Sequence, residues 1–456
     1  MSDKGKSPRD LFGSKLGVIA AAAGSAVGLG NIWKFPYEAG QNGGGAFLLV
    51  YIGFILAIGL PIMISEFVIG RKSRANAAGA FKKLAPGKPW FVVGWMGVGA
   101  AFMILAFYGV VAGWTLEYIK EAVTNSFDGK STLQLTENFT TFMTDPVRPI
   151  IWQVIFMLLT GGIILGGVKN GIEKYTKILM PLLLIIIIVM GIKSLSLPGG
   201  GDGLKFLFSF QFEKINSSVL IEALGQAFFS LSLGMGAIIT YGSYVDGRSN
   251  LTRTALQVTF VDTLIAVLAG VAIFPAVFAF GIEPSFGEGL VFVALPSIFE
   301  QMSGGYFWGI LFFVLLAVAA LTSTISLLEV IVAYLSEEFK IKRKTATITG
   351  TVIVSFLGAL CSLSLGAGSD ILIFGQNFFG LLNFTASNVL LPLGGMLIAL
   401  FLGWQIKRND TYEELSNGGT IKLRLFRVFL VIIKFIAPIA IAMVFLHEIG
   451  LLKLNA

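Results

Sequence analysis

The chain has 456 residues, of which 55% are apolar and only 13% charged, with a mean hydropathy of +0.83. Too little charge is present to cover a water-soluble protein of this length, so the composition describes an all-α polytopic membrane protein. The net charge of +7 then belongs to cytosolic loops rather than to a nucleic-acid surface, the lone Cys361 excludes an intrachain disulfide, and the lone His447 leaves no material for a His-based metal centre or triad.

About 20 apolar residues are needed to cross a bilayer, and about eleven segments qualify. They centre on 16–39, 46–70, 90–119, 148–168, 173–195, 221–244, 256–282, 306–336, 346–366, 375–404 and 424–450, and are called spans one to eleven below. Pro61, Pro181, Pro275 and Pro392 fall inside spans and are expected to kink or end helices. Basic residues precede span one and follow spans two, four, six, eight and ten, while the alternate loops are mixed or acidic. The positive-inside rule therefore places the N-terminus in the cytosol and the C-terminus outside. The start is polar and basic without a cleavage-type site, so no removable signal peptide is expected.

Span one contains the stretch Gly24-Ser-Ala-Val-Gly28-Leu-Gly30-Asn31-Ile-Trp-Lys34-Phe-Pro36. Three glycines, an asparagine, a lysine and a proline disfavour a continuous helix. In lipid, the carbonyls freed by a break need partners, so it belongs inside protein or against a polar cavity, where it can serve a cation. Taken alone, Gly24 and Gly28 also fit close helix packing. Span six repeats the pattern in Ser230-Leu-Ser232-Leu-Gly234-Met235-Gly236. Spans one and six are five apart, so a second five-span unit is inverted in the membrane, and paired breaks at matching positions mark a transporter's binding site. The expected organisation is one transmembrane domain over 1–456, with repeats at 12–195 and 220–405 and an additional span at 424–450. Residues 283–303 read as a re-entrant outer lid. Asp262 and Glu66 are acids within apolar spans, which marks them for function; Glu66 also fits a cytosol-facing helix end, five residues before Arg71.

Gly24-Ser-Ala-Val-Gly-Leu-Gly-Asn31, Lys34-Phe-Pro36, Asn42-Gly-Gly-Gly45, Phe228-Phe-Ser-Leu-Ser-Leu-Gly-Met-Gly-Ala237 and Leu321-Thr322-Ser323 occur in this order between about Arg9 and Trp404. Together they resemble the neurotransmitter:sodium symporter family, and within it the bacterial eleven-span amino-acid transporters. The resemblance implies the leucine-transporter type of 5+5 inverted-repeat fold and two sodium ions. Sodium one would take the Ala26 carbonyl, Asn31, Ser230 and the substrate carboxylate, with Asp262 added where relatives commonly carry an asparagine. Sodium two would take the carbonyls of Gly24, Val27 and Ala319 and the hydroxyls of Thr322 and Ser323. Back-bonding to their own helix is the alternative for these two hydroxyls. Asp262 is expected to replace the chloride that animal relatives bind, so no chloride is expected. Glu66 would brace the helix breaks.

The same resemblance implies an α-carboxylate held at the span-one break near Ser25, Ala26 and Gly28 and by the Tyr108 hydroxyl, with the α-amino group on the carbonyls of Phe229 and Ser232. Ser25, Ile104, Phe229, Met235, Thr324, Ser326 and Leu327 would line the side-chain pocket, Ser230 closing it at the sodium. That lining carries no charge, which favours hydrophobic or aromatic L-amino acids, and Met235 favours a broad range. Relatives pair an arginine in span one with an acid in span ten across the outer mouth; the matching positions here are Lys34 and Asn383. Arg9 and Glu337 match the inner pair, with Ser243 and Tyr244 beside them, and Gly171-x9-Pro181 matches a motif tied to unwinding for inward sodium release.

The expected function is sodium-coupled import by alternating access, in a monomer or dimer. A non-transporting amino-acid sensor on the same scaffold is the alternative. An enzyme is disfavoured, because the chain has no His-based motif, clustered nucleophile and base, or phosphate-binding G-x-x-x-x-G-K loop.

Overall fold

The computed structural model describes residues 10–281 and 290–452. Among them the chain is all-helical, the one extended pairing being an isolated bridge between Ile373 and Gln376. Nine helices are long and apolar enough to cross a membrane: Gly45–Ser73, Phe91–Val123, Arg148–Leu165, Val168–Leu195, Leu251–Ala279, Gly305–Glu338, Arg343–Leu363, Phe378–Gln405 and Phe426–Glu448. Lys15–Ala26 and Gly30–Gln41, bent by 52°, make a tenth, which is span one. The expected sixth span is two shorter helices, Ser217–Ser230 and Ala237–Gly242, on either side of its break, each too short to qualify as a crossing by length alone.

Both broken spans start from side-chain caps. The Ser14 hydroxyl accepts from Gly17 N–H at 3.0 Å, and the Asn216 side chain accepts from Val219 N–H at 2.9 Å. Span one then leaves helical geometry at Val27, whose ψ is 110°. Span six leaves it through Ser232, Gly234 and Gly236, with φ of 55°, 81° and 75°. Glycine takes these left-handed angles without strain, whereas Ser232 must be held there by a contact.

The prolines behave in two ways. Pro181 and Pro275 lie inside continuous α-helices. Pro61 and Pro392 instead follow by two residues the π-helical turns Ile55–Gly59 and Thr385–Leu390, and Pro36, Pro296 and Pro438 repeat that spacing. Proline cannot donate to the carbonyl four residues back and its ring crowds it. A wider turn just upstream moves that carbonyl away and lets the helix continue.

Among the nine unbroken helices span eight is the most enclosed, with 72% of its apolar stretch buried, whereas Phe426–Glu448 has 28% buried and lies at the periphery. The outer lid read at 283–303 falls partly outside the described residues. Its later part, Leu290–Ala294 and Leu295–Gln301, folds inward. Phe292 is buried among Trp33, Trp114, Tyr118 and Phe139, with ring centroids 5.0 to 6.2 Å away. This aromatic cluster ties the segment to spans one and three.

Candidate ion and substrate site

The two breaks face each other: side chains of span six serve the backbone of span one, and a side chain of span two serves that of span six. Ser232 Oγ donates to the Ser25 carbonyl at 2.8 Å, which holds Ser232 in its left-handed conformation. Gln226 Nε2 donates to the Gly30 carbonyl at 3.0 Å, and Gly28 N–H donates to Asn31 Oδ1 at 3.0 Å. Glu66 is fully buried and accepts from Gly234 N–H at 2.8 Å. Glu66 is therefore not a cytosol-facing helix end; it braces the break of span six.

On one side of the breaks stand Asn31, Ser230 and Asp262, all buried. Asn31 Nδ2 donates to Asp262 Oδ1 at 2.8 Å and to Ser230 Oγ at 3.2 Å, and Ser230 Oγ lies 3.0 Å from both Asp262 carboxylate oxygens. Tyr51, which the sequence reading passed over, joins this group by donating to Ser230 Oγ at 3.0 Å. Among the described residues Asp262 has no cationic side chain paired with it. A buried carboxylate with only amide and hydroxyl partners is costly. The carboxylate oxygens of Asp262 and the Ser230 hydroxyl are the kind of oxygen donors that suit a hard cation of low charge.

On the other side, Thr322 Oγ1 donates to the Val27 carbonyl at 3.2 Å and to the Ala319 carbonyl at 2.9 Å. Ser323 Oγ donates to the Val27 carbonyl at 3.3 Å. The Thr322 hydroxyl thus back-bonds to its own helix and also reaches across to span one. Gly24 stands opposite, where a methyl group would lie 3.2 Å from Thr322 Cβ. Two hydroxyls and the carbonyl oxygens of Val27 and Ala319 converge here without a formal charge.

Between the two groups is a small cavity of about 30 Å³. Ser25, Ala26, Gly28, Ile104, Tyr108, Phe229, Ser232, Met235, Ser326 and Leu327 line it as expected, with Ser323 and Gly30 added. Two expected lining residues differ. Thr324 turns to span four, sharing a 2.9 Å hydrogen bond with Thr160 and donating to the Leu321 carbonyl. Ser230 stands behind the cavity with Asp262 rather than in its wall. The Tyr108 hydroxyl accepts from Leu29 N–H at 2.9 Å, which leaves its own proton for an acceptor in the cavity. Outward lies a larger vestibule of about 200 Å³ bearing Trp33, Lys34, Phe379 and Asn383. The two cavities share Gly30, Tyr108 and Phe229, so these three form the partition between them.

The gate residues are only partly paired as expected. Lys34 and Asn383 both face the vestibule, but among the described residues they do not bond to each other. Asn383 Oδ1 accepts from Ser387 Oγ at 3.1 Å, and Lys34 Nζ stands 5.0 Å from the Phe229 ring centroid. On the inner side Arg9 lies outside the described residues, and Glu337 accepts from Asn76 N–H and Nδ2 at 2.8 and 3.1 Å. Tyr244 donates to Glu329 Oε1 at 2.7 Å, and Arg343 holds the same buried carboxylate through both terminal nitrogens. Glu329 was missed although its signal was present, an acid inside an apolar run.

A model of the Sodium:neurotransmitter symporter family matches residues 9–134 and 125–455. The chain belongs to that family. The symporter is 42% identical over 442 residues to the uncharacterized sodium-dependent transporter YhdH of Bacillus subtilis, covering 97% of this chain and 98% of the relative. An uncharacterized sodium-dependent transporter of Haemophilus influenzae is 36% identical over 454 residues, again covering 97% and 98%. The crystal structure of MhsT in complex with L-phenylalanine superposes with a TM-score of 0.89 at 50% identity, covering 97% of this chain and 100% of that one. The symporter is a multi-pass, sodium-dependent membrane transporter of the leucine-transporter fold, and not an enzyme.

Proposed function

We propose that the symporter imports hydrophobic and aromatic L-amino acids together with two sodium ions, independently of chloride. The observation that carries this reading is the placing of an uncharged, largely apolar cavity between two oxygen-rich groups at paired helix breaks. The likeness to MhsT, crystallised with L-phenylalanine, supports the substrate class.

Asn31, Ser230 and Asp262, with the Ala26 carbonyl, take the first sodium. Gly24, Val27, Ala319, Thr322 and Ser323 take the second. Both ions are cargo, and binding them neutralises or solvates oxygens that otherwise face one another across the breaks. Tyr108 and the span-one amides orient the α-carboxylate, while Ile104, Met235 and Leu327 receive the side chain. Phe229 separates this cavity from the vestibule, so its swing admits substrate and its return occludes it. Asp262 supplies the fixed negative charge that would otherwise call for an anion.

Five-span units at 12–195 and 220–405 rock about this site, with 424–450 outside both. The N-terminus is cytosolic and the C-terminus external, in a bacterial inner membrane, and the unit is a monomer or dimer. Labelled amino acids offered to purified protein in proteoliposomes test the assignment. Uptake of phenylalanine and leucine that needs an inward sodium gradient supports it; equal uptake of lysine or glutamate overturns the substrate class.

A further inference from the structure

Lys34 lines two cavities at once. One is the vestibule; the other, about 50 Å³, lies beside it between spans one, six, ten and eleven, with Glu222 and Glu448 on its walls. Glu38, one turn along from Lys34 on the same helix, adds a third acid: Lys34 interacts electrostatically with Glu38 and Glu222, and both acids with Glu448. His447 also reaches Glu222. Among the described residues none of the three carboxylates, nor Lys34, is in an ion pair within 4 Å. Glu448 takes a hydrogen bond from Asn388. Asn383 is neutral and engaged with Ser387.

Two acids on the walls of a narrow cleft, with Glu38 as a third acid interacting with both, repel one another and favour any cation able to enter it. Lys34 is the lysine at the mouth, parked over Phe229, and its four-carbon stem gives it reach. We propose that the outer gate closes by Lys34 pairing with the cleft formed by Glu222 of span six and Glu448 of span eleven, in place of an acid on span ten. Pairing draws the outer halves of spans one and six against span eleven and lifts the ammonium off the Phe229 ring. Span eleven, outside both five-span units, thereby becomes part of the gate. The proposal rests on the reading of Lys34 as the outer-gate cation, and it does not depend on the identity of the amino acid.

The test uses full-length protein in membranes, with Cys361→Ala and a reporter Phe379→Cys in the vestibule. The reporter is labelled by a charged, membrane-impermeant thiol reagent in potassium, and then in sodium with phenylalanine. Glu222→Gln with Glu448→Gln should raise the labelling rate in potassium by about fivefold, Lys34→Gln should raise it equally, and all three together no further. Equal labelling of parent and variants overturns the proposal, as does a triple variant in which the two effects multiply. Failure of phenylalanine to change labelling in the parent would instead count against the substrate reading, which separates the two.

Discussion

In the proposed function, Asp262 is the residue on which the ion chemistry turns. Its carboxylate is fully buried and is met by Asn31 and Ser230, with Tyr51 behind the serine. Asp262→Asn keeps the shape and removes the charge, so the sodium concentration for half-maximal uptake should rise at least about tenfold, the size of one lost charge-assisted contact. An unchanged sodium curve would place the first ion elsewhere. For the second ion, Thr322→Val with Ser323→Ala should weaken sodium activation by about tenfold. Thr324→Val should leave it unaltered, because that hydroxyl bonds to Thr160. Three consecutive hydroxyls were readable in the sequence, but successive residues sit about 100° apart on a helix. Which of them faces the break is set by the rotation of span eight, and the local pattern does not contain it. Tyr51 was harder still. A tyrosine in an apolar run is usually core, and its partner lies 179 residues away. Glu329 was legible as an acid among apolar residues, whereas its partners Tyr244 and Arg343 lie on other spans.

At the scale of elements, the helix breaks were legible because glycine and proline act locally, whereas their bracing was not. Glu66 stabilises span six by accepting from Gly234 N–H. Glu66→Gln keeps an acceptor and should express and bind sodium nearly normally. Glu66→Ala leaves a buried amide unpartnered at a cost of about 1–3 kcal/mol, so its thermal transition should fall measurably below that of the Gln variant. Equal transitions would remove Glu66 from the brace. Gly28 belongs to the same scale, because a methyl group there would meet the Ser323 and Tyr108 hydroxyls. Gly28→Ala should abolish amino-acid binding while the protein still elutes as a folded species; retained binding would show that the cavity is not the substrate site. The kinks expected at Pro61 and Pro392 resolved into π-helical turns upstream, a solution available only once hydrogen bonds are counted along the whole helix.

For the whole molecule, in the proposed orientation, the inner and outer faces are closed by different means. On one face, the buried Glu329 carboxylate joins Arg343 on span nine to Tyr244, just past the second helix of span six. Outside, aromatic packing around Phe292 and the partition of Tyr108 and Phe229 stand over the cavity. Alternating access needs both to open in turn, and sodium must favour one arrangement over the other. The most direct measurement is accumulation of labelled phenylalanine in proteoliposomes under an inward sodium gradient, with chloride replaced by gluconate. The expected result is transient accumulation above the external concentration that vanishes when sodium is equal on both sides and persists without chloride. Sodium-dependent binding without accumulation would identify a sensor and contradict transport, and strict dependence on chloride would contradict the role given to Asp262.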